Sequence, residues 1–159
     1  DLNMVRGELI DNQIKDVDIK LYKDLCAKLL ESRKRHNSHP ATPLQSALFQ
    51  MTTDTIARAK TSSKREFTCF AGRKFITLDD CGDVHACEIL EGDDFKLGNL
   101  RDYDYKLEKL LESKKAQDII QFILDKRCHC TWDCAINMSW IYDPSNLPLM
   151  AYQSFKQLF

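Results

Sequence analysis

The residues of this chain whose type and spacing best suit chemistry are its cysteines. Five of the seven fall into two groups. The first is a pair, Cys69 and Cys87, and the second is a close set in the last third of the chain, Cys128, Cys130 and Cys134. Thiolates that meet from two distant segments are the ligand set of a structural zinc ion or of an iron–sulfur cluster. The clustering therefore predicts a metal centre, and the spacing alone leaves zinc and iron–sulfur open.

The remaining cysteines and the histidine of the second group are weaker candidates for this chemistry. Cys26 lies on an apolar helical stripe, where a small buried hydrophobe is its expected role. Cys81 lies in a predicted turn, away from the paired cysteines. His129 is flanked by cysteines and is a candidate nitrogen ligand. A thiol redox protein that uses Cys130 and Cys134 is a further alternative, although their spacing is wider than the Cys-x-x-Cys of such proteins.

Composition and charge narrow the function classes. The chain has 159 residues, of which 43% are apolar, and a formal net charge of −1, which suits a globular domain with a substantial core. Nucleic-acid binding is not expected, because it requires a concentrated basic face. A membrane span is not expected, because no apolar stretch approaches the roughly 20 residues that one requires. The odd number of cysteines and the lack of a signal peptide argue for reduced thiols in the cytoplasm rather than for a disulfide framework.

Three segments show the apolar periodicity of amphipathic helices. The first covers residues 18–35 and has an aspartate available as its N-cap. The second is expected to begin with Thr42 as N-cap and Pro43 at the first helical position, and to end near Lys60. The third covers residues 104–125 and leads to the second group of cysteines.

A β-hairpin is predicted between the first two cysteines. From Phe67 the apolar periodicity changes to two, as in a strand, and residues 79–83 carry a strong turn signal. The return strand covers residues 84–89. Because a hairpin brings its two ends side by side, this arrangement places Cys69 next to Cys87. A further turn is predicted at residues 97–100.

The predicted fold class is α+β, with a small cysteine-bearing β-hairpin packed with several amphipathic α-helices. Residues 16–65 are expected to form a helical linker region, and residues 66–159 the cysteine-bearing domain. Residues 1–15 open with a strand-like piece that has no obvious partner strand nearby, so we expect its sheet to lie in a preceding N-terminal portion. The apolar groups of the C-terminal tail are expected to close over the core, namely Ile141, Tyr142, Tyr152 and Phe155.

The cysteine motifs resemble those of a known family. The stretches Cys69-Phe70-Ala71-Gly72, 76–87 and Leu97-Gly98-Asn99-Leu100 together resemble the C-terminal SPASM or twitch domain of radical S-adenosylmethionine enzymes. The pair Cys69 and Cys87, with Gly82 between them, has that family's Cys…Gly-x4-Cys pattern. Residues 128–134 look like the short closing motif of the twitch subset. Residues 5–7 look like the end of the last barrel strand in such enzymes, which would make residues 1–15 a barrel remnant.

The resemblance implies one auxiliary [4Fe–4S] cluster rather than zinc, bound by four of the five cysteines. Those candidates are Cys69, Cys87, Cys128, Cys130 and Cys134. It further implies a role in electron transfer or substrate positioning within an oxidoreductase. The expected partners are an N-terminal radical S-adenosylmethionine barrel, in the same or a separate chain, and a peptide or small-molecule substrate.

The resemblance also limits what this chain does alone. The radical-forming barrel uses a Cys-x3-Cys-x2-Cys motif, whereas after Cys130 and Cys134 the third position here is Asn137. No residue is therefore expected to be catalytic, and S-adenosylmethionine is expected only in the missing N-terminal domain. The alternative function is a zinc-stabilised, non-catalytic binding module, in which metal ligation supplies folding free energy.

Overall fold

A computed structural model of the chain describes residues 16–36, 39–62, 65, 67–90, 92–125 and 128–158. The predicted N-terminal strand lies outside this range. The described helices are α1 (Ile19–His36), α2 (Thr42–Thr61), α3 (Leu107–Leu111), α4 (Lys114–Leu124), α5 (Asp133–Tyr142) and α6 (Leu147–Lys156). The described strands are β1 (Thr77–Leu78), β2 (Asp83–His85) and β3 (Lys96–Asn99). Helices and a small antiparallel sheet confirm the α+β class. No helix in the described part of the chain is both long and apolar enough to cross a bilayer.

The first two helices form a hairpin that also contacts the C-terminal helices. The Asp18 carboxylate caps α1, since it accepts the backbone N–H groups of Lys20 at 2.8 Å and Leu21 at 3.1 Å. The predicted Thr42 cap of α2 is wrong: Ala41 occupies the cap position and no side chain caps it. The α2 helix packs against α1, α5 and α6. Their shared core is Tyr22, Cys26, Ile56, Ala57 and Ile136.

The sheet confirms the hairpin and adds a strand. Its order is β1-β2-β3, all antiparallel, with Val84 paired to Leu78 on one side and to Gly98 on the other. The strand predicted from Phe67 onward is much shorter than expected, because residues 72–74 form a turn. Residues 97–99, predicted as part of a turn, instead belong to β3. The sequence carries no local signal for β3, because that strand is stabilised by pairing with β2, which lies elsewhere in the sequence.

The predicted helix over residues 104–125 is two helices, and the single-helix prediction is wrong. Ser113 lies between them, with an extended backbone, and its side-chain oxygen accepts the Ala116 N–H at 3.2 Å. A serine in this conformation caps a new helix rather than continuing the old one. Both helices still contribute to the core, through Leu110 and Ile123, each almost completely buried.

The last two helices, α5 and α6, expose the apolar groups that the tail was expected to bury. Met150 is buried where α6 packs on α2. Tyr152 and Phe155 are 58% and 60% exposed, and Ile141 and Tyr142 are 44% and 42% exposed. The prediction that these four residues close over the core is therefore wrong. An apolar residue in a short helix is buried only if its side of the helix faces a neighbour. That side carries Ala135 and Ile136 in α5 and Met150 in α6.

Candidate metal centre

Four thiols line one small cavity between the hairpin and the loop that precedes α5. They belong to Cys69, Cys87, Cys128 and Cys130. The cavity volume is about 20 Å³. The remaining wall is largely apolar and is formed by Ala71, Ile89, Leu90, Ile123 and Ala135, with His129 at one side. The structure therefore brings together both members of the first group and two of the three in the second.

The hairpin positions the first two cysteines although neither lies in a strand. The Gly72 N–H donates to the carbonyl oxygens of both Phe75, at 2.9 Å, and Ala86, at 3.2 Å. These bonds join the segment that follows Cys69 to the segment that precedes Cys87. Gly72 has a φ of +75°, a conformation that residues with a side chain rarely adopt. The predicted proximity of the two cysteines thus depends on this turn as much as on the strands.

The loop between α4 and α5 positions the other two thiols. His129 anchors this loop, because its Nε2 lies 3.0 Å from the Ser62 carbonyl oxygen at the end of α2. A carbonyl oxygen only accepts, so Nε2 carries a proton and is not available as a ligand atom. Trp132 anchors the loop on the other side, with its ring edge-on to Phe75 at 6.1 Å between centroids.

Burial disfavours the thiolate form of three of these cysteines. It raises the pKa of Cys87 and of Cys128, and it raises the pKa of Cys130 from 9.0 to about 12. Negative charge on the neighbouring cysteines also raises the pKa of each of these three thiols. In the metal-free protein the Cys130 thiol is therefore neutral at physiological pH. Because metals bind the thiolate, loading this site must release protons.

Hydrogen bonds to sulfur lower the pKa of these thiols and stabilise the thiolate form that binds metal. After burial, the main influences on the pKa of Cys87 are backbone hydrogen bonds from Leu90 and Ile89, which lower it. Cys130 Sγ accepts the Trp132 backbone N–H at 3.4 Å. N–H donors aimed at cluster sulfurs are among the features that set iron–sulfur potentials.

A buried arginine, Arg65, contacts the thiol of Cys128. Arg65 is only 4% exposed, and its Nη1 donates to Cys128 Sγ at 2.9 Å. Its Nε donates to the Phe67 carbonyl oxygen at 3.2 Å, and its Nη2 donates to the Ile123 carbonyl oxygen. Sequence reasoning missed Arg65, because it lies in a polar stretch with no periodicity or motif that singles it out.

The other cysteines lie away from the cavity. Cys134 is exposed on the second residue of α5, whose inward side carries Ala135 and Ile136. Cys81 is exposed at the hairpin tip, as predicted, where its side chain and those of Asp79 and Asp80 lie within 4.8 Å of one another. Cys26 is buried in the α1–α2 core, as predicted. All seven cysteines lie in described parts of the chain, and none forms a disulfide.

The donor set fits a metal centre. Four thiols from two distant segments converge, they are reduced, and N–H groups point at their sulfurs. Comparison with known families decides the class. Residues 69–135 match the family model of SPASM, an iron-sulfur cluster-binding domain. This part of the chain is similar to a SPASM domain. No curated protein and no solved structure matches the chain.

The limits of the SPASM match agree with the geometry. The matched segment begins at Cys69 and ends at Ala135, so it includes all four thiols of the cavity as well as Cys134. It also includes the complete sheet and α4, which form the core beneath the cavity. Arg65 lies outside the SPASM match, four residues before its first cysteine.

Proposed function

We propose that this chain is the auxiliary-cluster part of a radical S-adenosylmethionine enzyme, and that Cys69, Cys87, Cys128 and Cys130 bind one [4Fe–4S] cluster. The convergence of these four thiols on one apolar cavity, inside a segment that matches SPASM, carries the proposal. Cys134 is left out of the proposed ligand set, because it is exposed and does not line the cavity.

The spacing of the thiols favours a cluster over the zinc alternative. Four thiolates on one zinc ion, at Zn–S distances of about 2.3 Å, lie about 3.8 Å from one another. Within the described residues, no three ligand atoms of the four cysteines lie within 4.8 Å of one another. The four thiols are therefore farther apart than the ligands of a single tetrahedral zinc ion, which supports a multi-iron centre.

The ligand set favours electron transfer over substrate binding at iron. When bound, an iron–sulfur cluster supplies single-electron chemistry at a potential that its surroundings set. Four cysteines provide one thiolate for each iron of a [4Fe–4S] cluster, so no iron is left for a substrate. The residues of this chain then ligate the cluster, exclude water through the apolar wall, and donate hydrogen bonds to sulfur.

The enzyme context follows from the family resemblance of the motifs. We propose a cytoplasmic oxidoreductase in which an N-terminal barrel binds S-adenosylmethionine and forms the radical. The SPASM domain would then exchange an electron with a peptide or small-molecule substrate radical. Because the chain has no Cys-x3-Cys-x2-Cys motif, radical formation is assigned to the barrel and no residue here is assigned a catalytic role.

Metal analysis of the full chain tests the proposal. The protein is reconstituted with iron and sulfide without oxygen, and its iron, sulfide and zinc are then measured. We expect about four iron and four sulfide per chain, the content of one [4Fe–4S] cluster. One tightly held zinc with no sulfide would instead establish the zinc-stabilised binding module and remove the electron-transfer role.

A further inference from the structure

Arg65 is the one charged residue that is buried among the residues described, and its position requires an explanation. A cation without a counter-charge is costly to bury, because it loses its hydration. Within the described residues no carboxylate lies within ion-pair distance of Arg65. Its partners in the described part of the chain are two backbone carbonyl oxygens and Cys128 Sγ.

Of these three partners, only the sulfur can become negatively charged. Cys128 would bind metal as the thiolate. Among the described residues, a Cys128 thiolate is therefore the one group in contact with Arg65 that can carry a negative charge. The guanidinium is also held in place before loading, since its contacts with Phe67 and Ile123 fix it on either side of the Cys128 bond.

We propose that Arg65 is the buried counter-charge of the iron–sulfur centre and raises its reduction potential. This inference rests on the proposed function of the four cysteines. Reduction adds one electron, and hence one negative charge, to a centre that four thiolates already make negative. A fixed cation in contact with one of those sulfurs stabilises the reduced form more than the oxidised form. Arg65 is thus a positioning residue that acts through Cys128.

The test compares variants of the full chain after anaerobic reconstitution. Arg65→Gln keeps a hydrogen-bond donor and removes the charge. We expect its ratio of reduced to oxidised cluster at a fixed potential to fall at least tenfold, which is a shift of about 59 mV for a one-electron couple. The potential is measured by a dye-mediated titration followed by electron paramagnetic resonance.

Arg101→Gln is the matched control. Arg101 is exposed, and its guanidinium donates to the Cys81 carbonyl oxygen at the hairpin tip, away from the cavity. Arg101→Gln removes the same charge as Arg65→Gln and should leave the reduction potential unchanged. A role for Arg65 that is only structural would lower cluster content without moving the potential of the clusters that do form.

The outcomes are distinct. If the wild-type chain holds no iron and sulfide, the proposed function fails before Arg65 is tested. If Arg65→Gln holds a full cluster at the wild-type potential, the inference about Arg65 is overturned. If Arg65→Gln does not load, Arg65→Lys replaces it, because lysine keeps the charge and loses the planar fork. A loaded Arg65→Lys should show a smaller fall in potential with altered resonance g values, and wild-type values of both would overturn the inference.

Discussion

The Asn99 side-chain amide donates a hydrogen bond of 2.6 Å to the Asp83 carboxylate and so links β3 to β2. The same amide also donates to the Cys81 carbonyl oxygen at 3.1 Å, and its oxygen accepts the Arg101 N–H at 3.0 Å. One side chain therefore joins the hairpin tip, the middle strand and the turn after β3. This gives a physical reason for the Leu-Gly-Asn-Leu motif that follows the hairpin in this sequence.

Replacing Asn99 should destabilise the hairpin. Asn99→Ala removes three hydrogen bonds from a partly buried site, and we expect it to lower the free energy of unfolding by about 1–3 kcal/mol. Urea unfolding followed by circular dichroism measures this. Asn146→Ala is the matched control, because the Asn146 amide makes a single long contact, 3.5 Å, with the Ser139 carbonyl oxygen. Equal effects of the two substitutions would contradict this role for Asn99.

The turn after Cys69 should require glycine. At Gly72, with φ of +75°, an added Cβ would lie 2.9 Å from Ile120 Cγ1. Gly72→Ala should therefore lower the free energy of unfolding by about 1–3 kcal/mol, from backbone strain and from this contact.

Gly92→Ala separates the two causes of that loss. Gly92 has a similar φ of +90°, but an added Cβ would meet nothing within 4 Å. We expect a smaller loss at Gly92, from strain alone, in thermal unfolding of both variants. A loss at Gly92 as large as that at Gly72 would mean that the contact with Ile120 contributes nothing.

The choice between Cys128 and Cys134 as ligands gives a sharp prediction. Cys128→Ala should abolish most of the bound iron and sulfide after anaerobic reconstitution, because it removes one of the four thiols that line the cavity. Cys134→Ala should retain wild-type iron and sulfide and the wild-type visible absorption. Loss of the cluster in Cys134→Ala, with the cluster retained in Cys128→Ala, would refute the ligand set.

The metal-free protein should lose stability at alkaline pH. Burial holds the pKa of Cys130 at about 12 in the folded state, against 9.0 unperturbed. Above pH 9 the unfolded chain releases this proton while the folded chain keeps it, so stability falls as pH rises toward 12. With 1.36 kcal/mol per pKa unit, the loss from this one group approaches roughly 4 kcal/mol by pH 12.

Denaturant unfolding from pH 7 to 11 checks this prediction on the metal-free protein. Cys130→Ala should make the alkaline decline shallower, with the part due to Cys87 and Cys128 remaining, although it lowers stability at pH 7 through lost packing. Cys81→Ser, at an exposed position, is the control and should leave the decline intact. A decline of the same steepness in wild type and Cys130→Ala would show that another group causes it.

Local signals predicted those parts of the fold that depend on neighbouring residues. The turn residues 79–83 located the hairpin, and apolar periodicity located α1 and α2 to within a residue or two of their bounds. The strand from Phe67, the unbroken helix over 104–125 and the buried aromatic tail were wrong. Each depended on distant contacts or on a competing cap, as at Ser113, and such influences leave no periodic trace in the sequence.

The sequence by itself determined the candidate chemistry of the centre, because cysteine type and spacing favour thiolate-bound metal and the motifs resemble those of SPASM domains. Only the tertiary structure decided which thiols meet. Cys128 faces the cavity from a loop, whereas α5 begins at Asp133 and turns Cys134 outward so that Ala135 and Ile136 can be buried. Only the tertiary structure placed Arg65 on a cysteine sulfur 63 residues away. Chain folding joins such residues through packing, and no local spacing encodes which pairs will touch.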